Sequence, residues 1–492
     1  VLRLIKSSRS GAENTHFGII GELNGFTFHL EKSSKNGERL YWICAEKHSA
    51  KCKARLTTDL AYSVVKNDLN QHPNHFGSAA KVEAIRAQES MKRRAVETME
   101  STSAVVNRMR QGSSVAAIVH MPSSSSASRA VRRWRTEAMQ APSVPADLET
   151  LEIPPMYRTY ERRNPTGSGF SKEAFLRYDS KEFRGYRTGG RCIFFASERS
   201  LQLLNTTADI YADGTFEITP GLFAQFYTIH VRYQGGKHTI PCVYAFMPNR
   251  QKQTYIKMLQ HLKQLCPQMS PRSVMTDFEQ AALGAFQHIW PRTEMKGCFF
   301  HLSQNQRKAL VREGLQELVA ENGDLDLQVR MVRAMAFVPI PDLDHVWEDL
   351  VHALDERLKP LLDYFTKFYM GQVLGGRRRQ PTFPQTLWNM YERTKHGHPR
   401  TNNSLEAYHR SLNTHFGVAH PTMWVALEKL ASYQQHIDCD YEDLISQRHP
   451  TTTRPRSKWL KAEERKLACV KGYEQMANKL DYLRGIAHNL SL

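Results

Sequence analysis

Nowhere does this 492-residue chain hold an apolar run near the roughly 18 residues that cross a bilayer as a helix, which excludes a helical membrane span. Cysteine is scarce as well. Eight scattered residues are too few for a disulfide scaffold, so the thiols suit a reducing compartment. Acid is in short supply relative to base: 49 Asp and Glu face 67 Lys and Arg, a net charge of +18. That balance favours a polyanionic partner, nucleic acid first and an acidic membrane surface second. No secretory leader pattern opens the chain. It begins with Val1 rather than Met, so the natural start is expected upstream.

What is present is an ordinary globular composition, 41% hydrophobic and 24% charged, long enough for roughly two to four domains. The charge is uneven. Residues 1–140 carry 22 Lys/Arg against 12 Asp/Glu, so +10 of the +18 sits in under a third of the chain, as in a DNA-binding appendage.

Residues 1–16 are polar and expected to be disordered. Over 17–78, Phe26–Leu30, Leu40–Cys44, Ala54–Thr57 and Ser63–Val65 read as short strands, with an Asn36-Gly37 hairpin turn between the first two. Residues 79–149 change to basic helix, with the serine run 123–126 as a loop and a Pro-containing linker at 141–145. From 150 to 310 strands and helices alternate. Strands are expected at 191–196, 210–212, 223–233, 238–247, 274–277 and 295–302, with helices at 255–265 and 280–289. The stretch 311–400 is helical with a basic loop at 375–379, 401–440 returns to amphipathic helix, and 441–492 is a basic helical tail. The expected architecture is a multi-domain α+β chain: a small β-rich zinc finger, a helical linker region and an RNase H-like α/β core interrupted by a helical insertion.

Three carboxylates stand out. Asp213 ends the apolar run Ile210-Tyr211-Ala212, Asp277 ends Ser273-Val274-Met275-Thr276, and Glu406 opens an amphipathic helix. Two Asp on strand ends and a Glu on a distant helix can converge on two Mg²⁺ or Mn²⁺ ions, the arrangement that clamps both oxygens of an in-line displacement at phosphorus. Singly, each has a plainer reading: Asp213-Gly214 as a hairpin turn, Asp277 as a helix N-cap, Glu406 as a solvated helix residue. A second set is Cys44 and Cys52 on neighbouring strands with His72 and His75 following, a Cys₂His₂ pattern suited to tetrahedral Zn²⁺. A domain this small needs such a staple. Lys51, Lys53 and Arg55 beside it are candidate DNA contacts.

Asp213-Gly214-Thr215-Phe216, Phe226-Tyr227-Thr228-Ile229-His230, Thr276-Asp277-Phe278-Glu279, Cys298-Phe299-Phe300-His301-Leu302, and Asn402-Asn403 with Glu406 and His409 occur in this order. Together they resemble the transposases of Mutator-like elements, over residues from about 151 to 440. The resemblance implies an RNase H-like core in which the strands bearing Asp213 and Asp277 lie side by side. It assigns Asp213, Asp277 and Glu406 to Mg²⁺-dependent DNA strand cleavage and strand transfer. Cys298 and His301 match a Cys-x-x-His word of the family. They and His409 are candidates for active-site support, as structural or DNA-contacting groups or as metal ligands. Tyr41-Trp42-Ile43-Cys44, Cys52-Lys53-Ala54-Arg55 and the His pair resemble a FLYWCH zinc finger. That family commonly ends in His-x-His, whereas this chain has His72-Pro73-Asn74-His75, which leaves His48 as a less favoured ligand candidate. The expected partners are double-stranded DNA, both element ends and target, and further copies of the chain assembled on it, in the nucleus. The rival expectation is a host-adopted regulator that binds DNA without cutting it.

Overall fold

The computed structural model describes residues 2–6, 19–67, 72–98, 100–139, 142–164, 169–183, 190–233, 239–374, 377–401, 403–446 and 457–490. It divides into two compact units, Val1–Ser143 and Val144–Leu492.

The first unit opens with six antiparallel strands paired in chain order: β1 Arg3–Lys6, β2 Ile19–Leu23, β3 Phe26–Ser33, β4 Arg39–Cys44, β5 Arg55–Asp59 and β6 Val64–Asn67. Alternation drives the burial. In β4 Leu40, Trp42 and Cys44 are buried while their neighbours are not. Phe28, Leu40, Trp42 and Leu56 join Leu2 in one core, and the Trp42 indole donates to Thr58 Oγ1 at 3.1 Å. Asn24 and Gly25, both at positive φ (49° and 80°), turn β2 into β3, a conformation that Asn-Gly pairs adopt readily. The polar start was expected to be disordered. Instead Arg3–Lys6 pairs with Lys6 opposite Ile19 and Arg3 opposite Glu22, because Leu2 and Ile5 have apolar side chains to bury.

Four helices follow: α1 Ala79–Glu97, α2 Thr102–Gln111, α3 Val115–Ile118 and α4 Ser124–Met139. Serines cap the first three, with Ser78, Ser101 and Ser114 side chains each accepting from a backbone N–H three residues on. The serine run expected as a loop starts α4: Ser123 Oγ accepts from Ser126 N, so serine acts as a cap here too. The helices enclose their own core around Met91, Val105, Val106, Val131 and Trp134. On the finger side, Arg86 of α1 pairs with Glu22 at 2.8 Å.

In the second unit, β7 Thr159–Arg163 and β8 Phe170–Ala174 form a small antiparallel ribbon. β9 Leu176–Asp179, β10 Ile193–Phe195, β11 Asp209–Thr215, β12 Gln225–Arg232, β13 Thr239–Met247, β14 Ser273–Thr276 and β15 Glu294–Gly297 build one sheet. Its order is β15-β14-β11-β12-β13-β10-β9. The pairs β11–β14 and β14–β15 are parallel and the rest antiparallel. Parallel neighbours need crossovers, supplied by α6 Lys252–Leu265 and α7 Gln280–Ile289, while α5 Glu198–Thr206 links β10 to β11. The strand expected over 295–302 is two elements. β15 ends at Gly297, Cys298 caps the helix α8 Phe299–Arg312, and the Cys-Phe-Phe-His-Leu word therefore runs on helical spacing.

The helical region comprises α9 Gln316–Ala320, α10 Gly323–Ala334, α11 Leu343–Ala353 and α12 Lys359–Phe365. A short ribbon of β16 Val373–Leu374 and β17 Arg377–Arg378 follows, with Gly375-Gly376 of the expected basic loop outside the described residues. α13 Gln385–Trp388, α14 Tyr391–Lys395, α15 Asn403–Phe416 and α16 Met423–Ile445 lead to α17 Ser457–Lys471 and α18 Lys479–Ala487. The stretch expected as a basic tail is not peripheral. Val470, Tyr473, Tyr482, Leu483, Ile486, Ala487 and Leu490 are buried in the same core as Val329, Phe337, Leu350 and Trp388 of the helical region. Its charge had masked an apolar stripe on helical spacing.

Candidate active site and metal centre

In the finger, β4 ends on Cys44, Cys52 lies on the extended approach to β5, and His72 and His75 follow β6. Cys44 Sγ is 3.3 Å from His75 Nε2, Cys52 Sγ 3.3 Å from His72 Nδ1, and the two imidazole nitrogens are 3.0 Å apart. All four ligand atoms lie within 4.8 Å of one another. A tetrahedral Zn²⁺ at about 2.3 Å from sulfur and about 2.0 Å from nitrogen needs ligand–ligand edges of roughly 3.3–3.8 Å, so the set is close to the size a zinc ion demands. The Pro73-Asn74 spacer is accommodated because Asn74 turns its amide onto the Ala50 carbonyl at 3.1 Å. Phe26 stacks on the His72 ring at 4.0 Å and meets the His75 ring edge-on at 5.5 Å, fixing both imidazoles. Glu46 N donates to Cys44 Sγ at 3.4 Å, a bond that strengthens with thiolate. Without a cation, burial pushes the Cys44 thiol up to about 11. His48 is not one of the four clustered ligands.

Lys51, Lys53 and Arg55 are exposed and alternate with buried Cys52, Ala54 and Leu56, so they share the outer side of the cluster. Arg55 pairs with Glu31 at 3.3 Å in an exposed contact that a phosphate can displace.

In the second unit, Asp213 and Gly214 lie within β11 opposite Thr228 and Tyr227, which rules out the hairpin-turn reading. Asp277 follows β14 and the N-cap of α7 is Glu279, not Asp277. Asp277 Oδ1 accepts from Glu279 N at 3.1 Å and Thr276 Oγ1 at 3.3 Å. Parallel pairing of β11 with β14 sets these two strands side by side. On α15, Leu405, Leu412 and Phe416 are buried. Glu406, His409, Arg410 and Asn413 sit at i, i+3, i+4 and i+7 on another face and line a cleft of about 620 Å³ with Asp213, Phe300, His301 and Gln304. Asn402 of the family word lies outside the described residues.

Electrostatics make the cleft hungry for positive charge. Asp213 is 4% exposed. Burial first, then the Asp277 and Glu406 charges, hold its carboxyl well above the usual range, against one hydrogen bond from Gly214 N. Burial also raises Asp277 and Glu406. Glu406 Oε1 is buried without a partner. The imidazoles nearest Asp213 are His301 at 3.9 Å and His409 at 4.0 Å. Burial drives both down to about 4, so they are neutral at pH 7 and do not balance the carboxylates. His301 Nδ1 and His409 Nε2 are buried and unpartnered. Asp277 does not line this cleft. Among the described residues, only the Cys₂His₂ set brings three or more ligand atoms within 4.8 Å of one another, so the three carboxylates share a neighbourhood rather than a common point.

Cys298 faces elsewhere. It is fully buried with Tyr211, Met275 and Leu405, packing β11, β14 and α15 together beneath the cleft, and Cys298 and His301 are not clustered as ligands. Sequence reasoning passed over Gln304, Arg410, Asn413 and Thr414 in the lining. Helical spacing from Glu406 would have found Arg410 and Asn413.

Comparison with known proteins gives two matches. No curated protein and no solved structure matches the chain. The second family match spans Asp213, Asp277, Cys298 and His301 and ends before Glu406. Residues 23–75 match the FLYWCH zinc finger domain and residues 210–305 the MULE transposase domain, so the chain carries a zinc finger module and a transposase domain of the Mutator-like class.

Proposed function

We propose that the chain is a metal-dependent DNA transposase of the Mutator-like class, cutting element ends and joining the freed 3′-hydroxyl to target DNA. The observation that carries this reading is the juxtaposition of Asp213 and Glu406 in one cleft, with Asp277 at the end of the parallel strand beside Asp213. The order β15-β14-β11-β12-β13 around them supports an RNase H-like core, with the helical region entering before Glu406. The domains proposed are a finger over 17–78, a helical basic region to 149, and a core at 150–310 completed by 401–440.

The donor set fits a hard divalent cation: all oxygen, mutually repelling, with Asp213 buried and faced by no cationic partner among the described residues, while Arg410 beside Glu406 and Arg250 near Asp277 offset part of the negative charge. Asp213, Asp277 and Glu406 would hold Mg²⁺ or Mn²⁺, which when bound supplies a lowered water pKa and charge stabilisation at phosphorus. The chain's own residues do the rest. Asp213 is fixed by strand pairing, Asp277 by hydrogen bonds from Glu279 N and Thr276 Oγ1 just past β14, Glu406 is presented by the first turn of α15, and neutral His301 and His409 flank Asp213 without neutralising it. Cys44, Cys52, His72 and His75 would hold structural Zn²⁺, and Lys51, Lys53 and Arg55 would meet DNA phosphates. Assembly of several copies on DNA in the nucleus follows from the same reading.

Strand cleavage of DNA carrying the element ends, measured with Mg²⁺ or Mn²⁺, tests it. Asp213→Asn, Asp277→Asn and Glu406→Gln preserve volume and are each expected to reduce cleavage to background while DNA binding survives. A chain that binds its ends but cuts with neither metal would instead be an adopted DNA-binding regulator.

A further inference from the structure

We propose that α4 is a sequence-reading helix that docks in the major groove of double-stranded DNA, giving the chain a second reader besides the zinc finger. The inference rests on the reading of the chain as a DNA-binding protein and goes beyond it by assigning base recognition to this helix. Residues 79–139 have the means to present a helix rigidly. α1, α2 and α4 pack against one another around their own core, and α3 closes against α1.

α4 has a buried side and an exposed one. Ala127, Val131 and Trp134, at i, i+4 and i+7, are buried. Ser125, Arg129, Arg132 and Arg133 fall on the opposite side and are exposed. Arg129 donates to Ser126 Oγ at 3.3 Å within its own helix, whereas the fourth arginine ties helices together. Arg135 turns inward and donates to the carbonyls of Ala95, Thr98 and Glu100, pinning α4 to the α1–α2 corner. By contrast, Arg133 reaches Glu137 only at 3.5 Å, with both side chains about half exposed or more, a contact of little strength.

Charge and chemistry favour DNA over another partner. Residues 79–139 carry 11 Lys/Arg against 5 Asp/Glu. None of α1 to α4 has an acidic residue in its first turn, where helices usually favour one. A helix of about 10–12 Å diameter fits the roughly 12 Å major groove. The basic residues of the outward side are all arginine, whose planar fork can grip guanine O6 and N7 together, whereas a lysine offers only a point charge. The finger's outward row, Lys51, Lys53 and Arg55, is mostly the latter kind.

The test uses the full chain. Duplexes enriched from a random pool are compared with scrambled ones by fluorescence anisotropy across a salt series, with guanine N7 methylation interference on the enriched sequence. The triple variant Arg129→Lys, Arg132→Lys, Arg133→Lys keeps the charge. It is expected to retain the salt slope but lose about tenfold or more of the sequence preference, together with the interference signal at specific guanines. The single variants Arg129→Lys and Arg133→Lys, with melting temperature monitored, supply the readout if the triple variant is unstable. Wild-type chain that prefers its enriched sequence, with lysine variants of unchanged preference and interference, would overturn the proposal. Wild-type chain that binds no DNA would overturn the underlying DNA-binding reading as well, and so separates the two failures.

Discussion

Among single residues, Asp213 carries a clear electrostatic penalty: it is buried, beside two other carboxylates, and faced by imidazoles that stay neutral. Its folded pKa lies above the unfolded value, so ionising it opposes folding. The penalty is absent below the unfolded value, near 3.9, and grows as pH rises towards the folded one. Mg²⁺ or Mn²⁺ should therefore raise the melting temperature at pH 7 and do so less at pH 5. Asp213→Asn should raise the metal-free melting temperature and abolish the metal effect. Differential scanning fluorimetry reads both, and a metal-independent melting curve would count against a cation at these carboxylates. His301 and His409 flank Asp213 at 3.9 and 4.0 Å, beyond hydrogen-bond distance, so His301→Ala or His409→Ala should cost less activity or metal affinity than the about 10–100-fold of a hydrogen-bonded supporting partner. Titrating Mg²⁺ in the cleavage assay separates the two effects.

In the finger, Cys44, Cys52, His72 and His75 would act through zinc as a staple for a small fold. Its apolar core is small: Leu2, Phe28, Leu40, Trp42 and Leu56. Structural zinc in such modules contributes roughly 10–16 kcal/mol at pH 7. Cys44→Ser or Cys52→Ser should unfold β1 to β6 and release zinc, seen by metal analysis and by loss of the Trp42 near-UV signal. His48→Ala should do neither.

At the scale of elements, the helices near the C-terminus decide the helical region's stability. α18 buries Tyr482, Leu483 and Ile486 against α10 and α11, and the Tyr482 hydroxyl donates to the Phe337 carbonyl. Leu483→Ala removes a fully buried side chain and should cost about 2–5 kcal/mol. Urea unfolding of the full chain measures this; a loss under about 0.5 kcal/mol, the size of an ordinary surface change, would mean that α18 is peripheral. The same packing explains why 441–492 reads as a tail in sequence. α17 is rich in Lys, Arg and Glu, and its buried Val470 closes a short apolar run, Leu467-Ala468-Cys469-Val470, flanked by lysines. Cys298 illustrates the converse at an element boundary. Helix and strand both tolerate Cys-Phe-Phe-His-Leu, and the Cys298 N–H bond to the Thr276 carbonyl at 3.1 Å marks where pairing stops and α8 begins.

At the scale of the molecule, the charge is partitioned with the two units. Residues 1–140 hold +10 of +18, and the first unit ends at Ser143. Limited proteolysis should cut near residues 140–148 and leave two resistant fragments. The fragment that begins near Val144 retains Asp213, Asp277 and Glu406 and so should keep the metal response of its melting curve. It should also lose much of the steep salt dependence of DNA affinity, a log–log slope near −0.9 for each phosphate neutralised. An unchanged slope would assign phosphate contact to the basic segments of the second unit.

Local choices are legible in short windows of the chain. Alternation in Leu40-Tyr41-Trp42-Ile43-Cys44 made a strand with Trp42 inside, and the spacing of Cys44, Cys52, His72 and His75 named the four groups that meet within 4.8 Å. Apolar runs ending in Asp213 and Asp277 read as strands for the same reason: side-chain period and run length are properties of a short window. Features that depend on distant partners emerge once the chain has folded. The Arg3–Lys6 strand exists because β2 offers an edge, and α17 and α18 join the helical core because Val329, Phe337 and Trp388 lie some hundred residues earlier. Asp213 is separated from Glu406 by nearly two hundred residues of chain, and the two face one cleft because α15 packs Leu405 and Leu412 inward and turns Glu406, His409 and Asn413 towards β11. Burial is a sum over such long-range contacts, and so are the raised carboxylates and lowered imidazoles that follow from it.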